Sequence, residues 1–262
     1  MRFYKYMNKK LLISGCSYGV VYSEIQDDLK KIFNVDEVVN LSQNGGSPDR
    51  AIRVAIEWIA QNGKPDMLIL PVSHYNRFDL PIAERMDPLH NLHFRSTWHM
   101  DLSKNYGSAT PIDPKFDRDN LQTFLKTGVL VHQNDYPAHD YLFVKLITFQ
   151  SFLQLNKIRH LIFDTGNYYE KLWNTQQPGM QKRKLIENCK GIYKLFSFCS
   201  NVWMYNQLTD KEKIDYIPWW KPQGKKPLGK IVPDTVAATI HFQKQEVVKL
   251  MQHLKKEGAV HE

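Results

Sequence analysis

The chain has only three cysteines, Cys16, Cys189 and Cys199, and no Cys-x-x-Cys pair among them. An odd, scattered set supplies neither a disulfide framework nor a structural zinc site, which fits a reducing compartment. Long hydrophobic runs are also missing, so a membrane-spanning helix is not expected. Residues 1–10 are basic, but the apolar run behind them, LLISGC, is too short for a secretory leader. A cytoplasmic protein with no membrane partner is therefore expected. Internal repeats and low-complexity tracts are absent, which argues against a solenoid or a disordered tail. Neither G-x-G-x-x-G nor a Walker lysine occurs, so Asn44-Gly45-Gly46 is not a nucleotide fingerprint. The stretch HNLHFRSTWHMD, residues 90–101, carries histidine and aspartate but no helical His-x-x-x-His pair. It reads as surface or lid, and neither a metal nor a cofactor is expected.

What is present suits one large α/β domain: 262 residues, 42% of them apolar. Lysine and arginine outnumber aspartate and glutamate by 35 to 27, a net charge of +8 that favours anionic partners. Nucleic acid is the lesser of these, because the excess is only partly clustered. Its densest piece is KPQGKKPLGK, residues 221–230, and a basic loop of this kind is more often solvated than used.

The chain is organised around residues 9–21, KKLLISGCSYGVV. Leu11, Leu12 and Ile13 form a continuous apolar run that reads as a buried parallel strand. It ends in Gly15-Cys16-Ser17 and passes into a helical pattern, which puts the Ser17 hydroxyl at the carboxyl edge of a sheet. There Ser17 is either the N-cap of the first helix or a reactive group beside unpaired backbone N–H donors. Cys16, at the end of a buried strand, reads as core.

Residues 23–33 then read as a helix, with Ile25, Leu29 and Ile32 at helical spacing, acids early and lysines late. Residues 35–41 form a second strand candidate, followed by a loop in which Asn44, Gly45 and Gly46 are able to take positive φ. A second amphipathic helix starts at Ser47 or Pro48, carrying Ile52, Ala55, Ile56 and Ile59. Residues 67–72, MLILPV, are the third strand. Strand and helix alternate with short connections, so a doubly wound parallel sheet is expected, its loops 15–19, 42–47 and 73–77 meeting at one edge.

Residues 80–136 lack clear periodicity and are expected to be an insertion with short helices, placed beside that edge as a lid or acceptor site. Residues 140–155 read as a helix with Leu142, Leu146, Phe149, Phe152 and Leu153 inward, and residues 159–164 as a fourth strand. Asp164 and Asn167 close it at the same edge. Residues 168–201 read as partly helical and 202–205 as a possible fifth strand. Trp203, Tyr205, Tyr216, Trp219 and Trp220 crowd together, and a core corner is favoured over a binding platform. The last helix runs from His241 or Phe242 to Lys256, with Val247, Leu250, Met251 and Leu254 on one face.

A serine hydrolase needs a hydroxyl, a base and donors aimed at the developing oxyanion. Gly15-Cys16-Ser17 after the first strand, Asn40-x-Ser42-x-x-Gly45 after the second, a polar cluster with Asn76 after the third, and a histidine before the last helix resemble the four blocks of the SGNH (GDSL-like) hydrolase superfamily. The order matches over most of the chain. The resemblance implies a flavodoxin-like three-layer α/β/α sandwich over residues 1–262, with residues 80–136 inserted after the third strand. It also implies Ser17 as nucleophile, His241 as general base, and an oxyanion hole from Gly45 and Asn76. His74 is the alternative donor, because the third block reads SHYNRF, and Arg77 either clamps an anionic substrate or pairs with Asp79. The implied substrate is an acyl ester, such as an O-acetyl group on a glycan. Similar proteins are frequent in tailed-phage genomes and surface-polysaccharide gene clusters.

Besides the third block, which reads SHYNRF rather than Gly-x-Asn-Asp, two positions depart from the pattern. Cys16 stands where the family has an Asp outside the triad, and Ala238 stands where the triad acid normally lies. Asp234 is the nearest acid, and a Ser-His dyad is the alternative. A protein that keeps the fold without turnover, binding glycan, protein or nucleic acid, is the competing reading.

Overall fold

The computed structural model describes residues 8–44, 46–73, 77–82, 93–100, 105–108, 135–165, 200–209, 211 and 242–262. In chain order its elements are β1 (Lys10–Ile13), α1 (Ser17–Val20), a 3-10 turn (Val21–Glu24), α2 (Gln26–Phe33), β2 (Glu37–Asn40), α3 (Pro48–Asn62), β3 (Met67–Val72), β4 (Arg77–Ile82), β5 (His93–Met100), β6 (Asn105–Ser108), α4 (Asp135–Leu155), β7 (Arg159–Asp164), α5 (Ser200–Asn206) and α6 (Lys244–Lys256).

Four strands form an all-parallel sheet in the order β2-β1-β3-β7. Leu11, Leu12 and Ile13 are fully buried, as are Met67, Leu68 and Ile69, because both faces of the central strands are covered. Alternation along the strands divides the core in two. Leu11, Ile13, Met67, Ile69, Leu161 and Phe163 pack with residues of α2, α5 and α6. Leu12, Leu68, Leu70 and Ile162 pack with residues of α3 and α4. The chain is thus an α/β protein with helices on both faces of a parallel sheet.

The helices begin and end where local chemistry directs. Ser47 caps α3 by accepting a bond from the Arg50 N–H at 3.0 Å, with Pro48 in the first helical turn. Gly63, at φ 86°, ends it. Asn34 takes φ 54° after α2, a left-handed position that asparagine tolerates. The inward faces expected of the last two long helices are found, Phe152 excepted in that it is only partly buried: Leu142, Leu146, Phe149 and Leu153 are buried in α4, and Val247, Leu250, Met251 and Leu254 in α6.

Beyond α6 the chain returns to the outer edge of β7. His160 and His261 exchange backbone bonds of 3.0 and 2.8 Å, and their rings stack with centroids 4.7 Å apart.

Several sequence expectations are corrected. Residues 202–205 are not a strand but lie inside α5, whose Ser200, Asn201, Met204 and Tyr205 are buried at helical spacing. The first helix does not run unbroken from residue 23: helical structure starts at Ser17, tightens into the 3-10 turn, and resumes at Gln26. Within residues 80–136, expected to carry short helices, the described residues before α4 are strands: β4, begun at Arg77, β5 and β6 form an antiparallel sheet in the order β4-β5-β6, and residues 83–92, 101–104 and 109–134 lie outside the described residues. Pro81, which has no N–H to donate, sits on its edge strand β4. Positive φ among the described glycines belongs to Gly63 and Gly258, not Gly46, and Asn44 does not adopt it either. Gly46 serves close approach instead: a Cβ there would lie 3.1 Å from the Gln43 carbonyl oxygen and 3.2 Å from that of Gly15.

Candidate active site

Ser17 is positioned by the turn through which the chain leaves β1. The Ser14 N–H extends the ladder by donating to the Ile69 carbonyl at 3.1 Å, and the Ser14 hydroxyl donates to the Ala51 carbonyl at 2.7 Å. The turn then passes so near Pro71 that a Cβ on Gly15 would lie 2.7 Å from the proline Cγ. Cys16 is the N-cap of α1, with no side-chain cap bond, and Ser17 is the first helical residue. The capping alternative for Ser17 is therefore removed. Ser17 is half-buried, whereas Cys16 is 1% exposed and belongs to the core.

The loops after β2 and β3 reach this turn. The Gln43 N–H donates to the Gly15 carbonyl at 3.2 Å, and the Leu41 N–H to the Ile13 carbonyl at 2.8 Å. Asn40 Nδ2 donates to the Gly19 carbonyl at 2.8 Å and to Ser23 Oγ at 2.9 Å, while its Oδ1 accepts from the Ser42 N–H at 3.0 Å. The Ser73 hydroxyl, just past β3, donates to the Gly46 carbonyl at 3.2 Å. Thr165, just past β7, donates to the Val72 carbonyl through its N–H at 3.1 Å and its hydroxyl at 2.8 Å. All four carboxyl ends of the sheet are thus tied together. The strand order reverses between β1 and β3, which is where open α/β sheets bind ligands.

A cavity of about 30 Å³ lies beside Ser17, bounded by Tyr22, Thr165, Ser200, Met204 and Phe242. It has room for about two water-sized groups. Phe242, 6% exposed and two residues before α6, lines the same cavity as Ser17. Tyr22 is fully neutral: burial, reinforced by the adjacent Cys16, pushes its phenol far above the ordinary value.

Gly45, His74, Asn76, Asp234, Ala238 and His241 lie outside the described residues, as do Tyr216, Trp219, Trp220 and the basic loop 221–230. Both chain neighbours of Gly45 are described, and Gly46 packs against Gly15 and Cys16. Arg77 opens β4 in register with Trp98. Trp203 is half-buried against the core and stacks on His253 with ring centroids 4.5 Å apart, and Tyr205 is buried, so these two aromatics are core. Among the described residues no group of three potential metal ligands occurs, and no helix is long and apolar enough to cross a membrane.

Sequence reasoning assigned no role to the Asn40 side chain, Ser73 or Thr165. The available signal was position: each is a short polar residue at or just beyond the carboxyl end of a parallel strand. No protein-family model, curated protein or solved structure matches this chain.

Proposed function

We propose that this protein is a serine esterase of SGNH type that removes a small acyl group, such as O-acetyl, from a glycan or related small ester. The finer reading of the fold, a three-layer sandwich of that superfamily, belongs to the same proposal. The observation that carries it is the setting of Ser17. This half-buried serine is not used as a cap, and it stands at the reversal point of the strand order with the loops after β2 and β3 bonded around it.

In this reading Ser17 Oγ attacks the acyl carbon while His241 takes its proton. The resulting oxyanion is held by the backbone N–H groups of Ser17 and Gly45 and by the Asn76 side chain, or by His74 in its place. His241 returns the proton to the departing alcohol, and water then releases the acyl group from Ser17 by the same steps in reverse. His74 and Arg77 contact the substrate. Asp234 or a dyad stands in for the acid absent at Ala238.

A fluorophosphonate probe tests the reading without knowledge of the substrate. It labels the wild type and leaves Ser17→Ala unlabelled if Ser17 is activated; equal absence of label from both overturns the proposal. Ala238 favours one second reading, a binding protein that retains the fold without turnover. In that case neutralising Lys225, Lys226 and Lys230 weakens binding of an anionic polymer and flattens its salt dependence.

A further inference from the structure

We infer that Asn40 is a positioning residue for Ser17, an assignment that rests on the esterase reading. Asn40 is the last residue of β2 and lies in register with Ile13, the last residue of β1. Its side-chain amide meets three partners: the Gly19 carbonyl at 2.8 Å, Ser23 Oγ at 2.9 Å and the Ser42 N–H at 3.0 Å. Donors and acceptor cannot be exchanged. A flipped amide would set oxygen against the Gly19 carbonyl and NH2 against the Ser42 N–H, so these partners fix its orientation.

Gly19 and Ser17 belong to the same four-residue helix, α1. So short a helix has little rigidity of its own, and whatever holds the Gly19 carbonyl holds Ser17. Ser42 begins the loop that leads to Gly45, the implied oxyanion donor. One side chain thus spans the helix of the nucleophile and the loop of the donor, and sets the separation between them. The two are also in direct contact, since a Cβ on Gly19 would lie 2.2 Å from Ser42 Oγ. Acyl transfer is sensitive to the spacing of nucleophile and donor: a displacement of about 1 Å can cost about 100-fold in rate.

The test compares wild type, Asn40→Asp and Asn40→Ala as full chains. For each, the second-order rate constant and the final extent of fluorophosphonate labelling are measured, together with kcat and KM for p-nitrophenyl acetate. Asn40→Asp keeps the shape and the acceptor for the Ser42 N–H but replaces the donor to Gly19 with a carboxylate. The expected result is a labelling rate constant and kcat lower by about 10- to 100-fold in both variants, with KM little changed. Full labelling extent shows that the molecules are folded. A purely structural role has the opposite signature, a reduced extent with a wild-type rate constant in the molecules that do label, and it overturns the assignment. If Asn40→Ala does not fold, Asn40→Asp alone decides between these outcomes. A labelled wild type with equally fast variants overturns only the role of Asn40, whereas an unlabelled wild type overturns the esterase reading and this assignment together.

Discussion

Gly19 and Ser42 are packed so closely that a Cβ on Gly19 would lie 2.2 Å from Ser42 Oγ and 2.9 Å from Ser42 Cβ. Neither neighbour can yield easily, since Gly19 is tied through its carbonyl to Asn40 and Ser42 through its N–H to the same side chain. Gly19→Ala is therefore expected to destabilise by about 1–3 kcal/mol, the usual cost of overpacking. Adding Ser42→Gly removes both close atoms and should restore most of the loss in urea unfolding.

Ser17 and Ser47 both stand at helix starts, yet they should respond differently to alanine. Ser47 accepts the Arg50 N–H, and Ser47→Ala is expected to cost about 1 kcal/mol. Ser17 makes no such bond as the first residue of α1, so Ser17→Ala should change stability by less than about 0.5 kcal/mol while abolishing esterase turnover. Thermal unfolding and p-nitrophenyl acetate assays on both variants check the contrast. His241→Ala should lower kcat by about 100- to 10,000-fold if it is the base.

His160 gives stability a pH dependence on the acid side. Burial lowers its pKa from the ordinary 6.5, the bond to the Ile158 carbonyl partly opposes this, and His261 lowers it further. Between the lowered folded value and 6.5 the unfolded chain binds more protons than the folded one. Stability is therefore lost as pH falls below about 6.5, by up to about 1.4 kcal/mol per pH unit. Urea midpoints at pH 7.5 and 5.5 should separate more in wild type than in His160→Leu.

Leu12 and Leu146 are both fully buried in the core on the α3 and α4 side of the sheet. Each change to alanine should cost about 2–5 kcal/mol in denaturant unfolding.

The parallel strands were legible because burial on both faces leaves an uninterrupted apolar run, as in Leu11-Leu12-Ile13 and in residues 67–72. The faces of α4 and α6 were legible from spacing alone. Residues 202–205 were not, since four apolar residues fit a strand or one turn of helix equally, and the burial of Ser200 and Asn201 with Met204 and Tyr205 is what marks the helix. The antiparallel sheet has only a broken signal: Phe94, Trp98 and Met100 share alternate positions of β5, but Ser96 interrupts them, with His93, Arg95, Thr97 and His99 on the other parity. At the site, the meeting of the 15–19 and 42–47 loops followed from the strand order. The three-way bond of Asn40 did not, because a sequence shows that an amide is present without showing which carbonyl lies opposite it.

The chain leaves the parallel sheet after Val72 and rejoins it beside the same strand at Arg159, with Met67 in register with Arg159 and Thr165 bonded back to the Val72 carbonyl. Closing a detour of this kind costs entropy that grows only with the logarithm of its length, about 0.6 kcal/mol for each doubling. The pairing of β3 with β7 is thus nearly indifferent to how long the intervening chain is. Descendants of this protein are free to lengthen, trim or exchange the part of that detour that precedes α4, while the four strands keep their register.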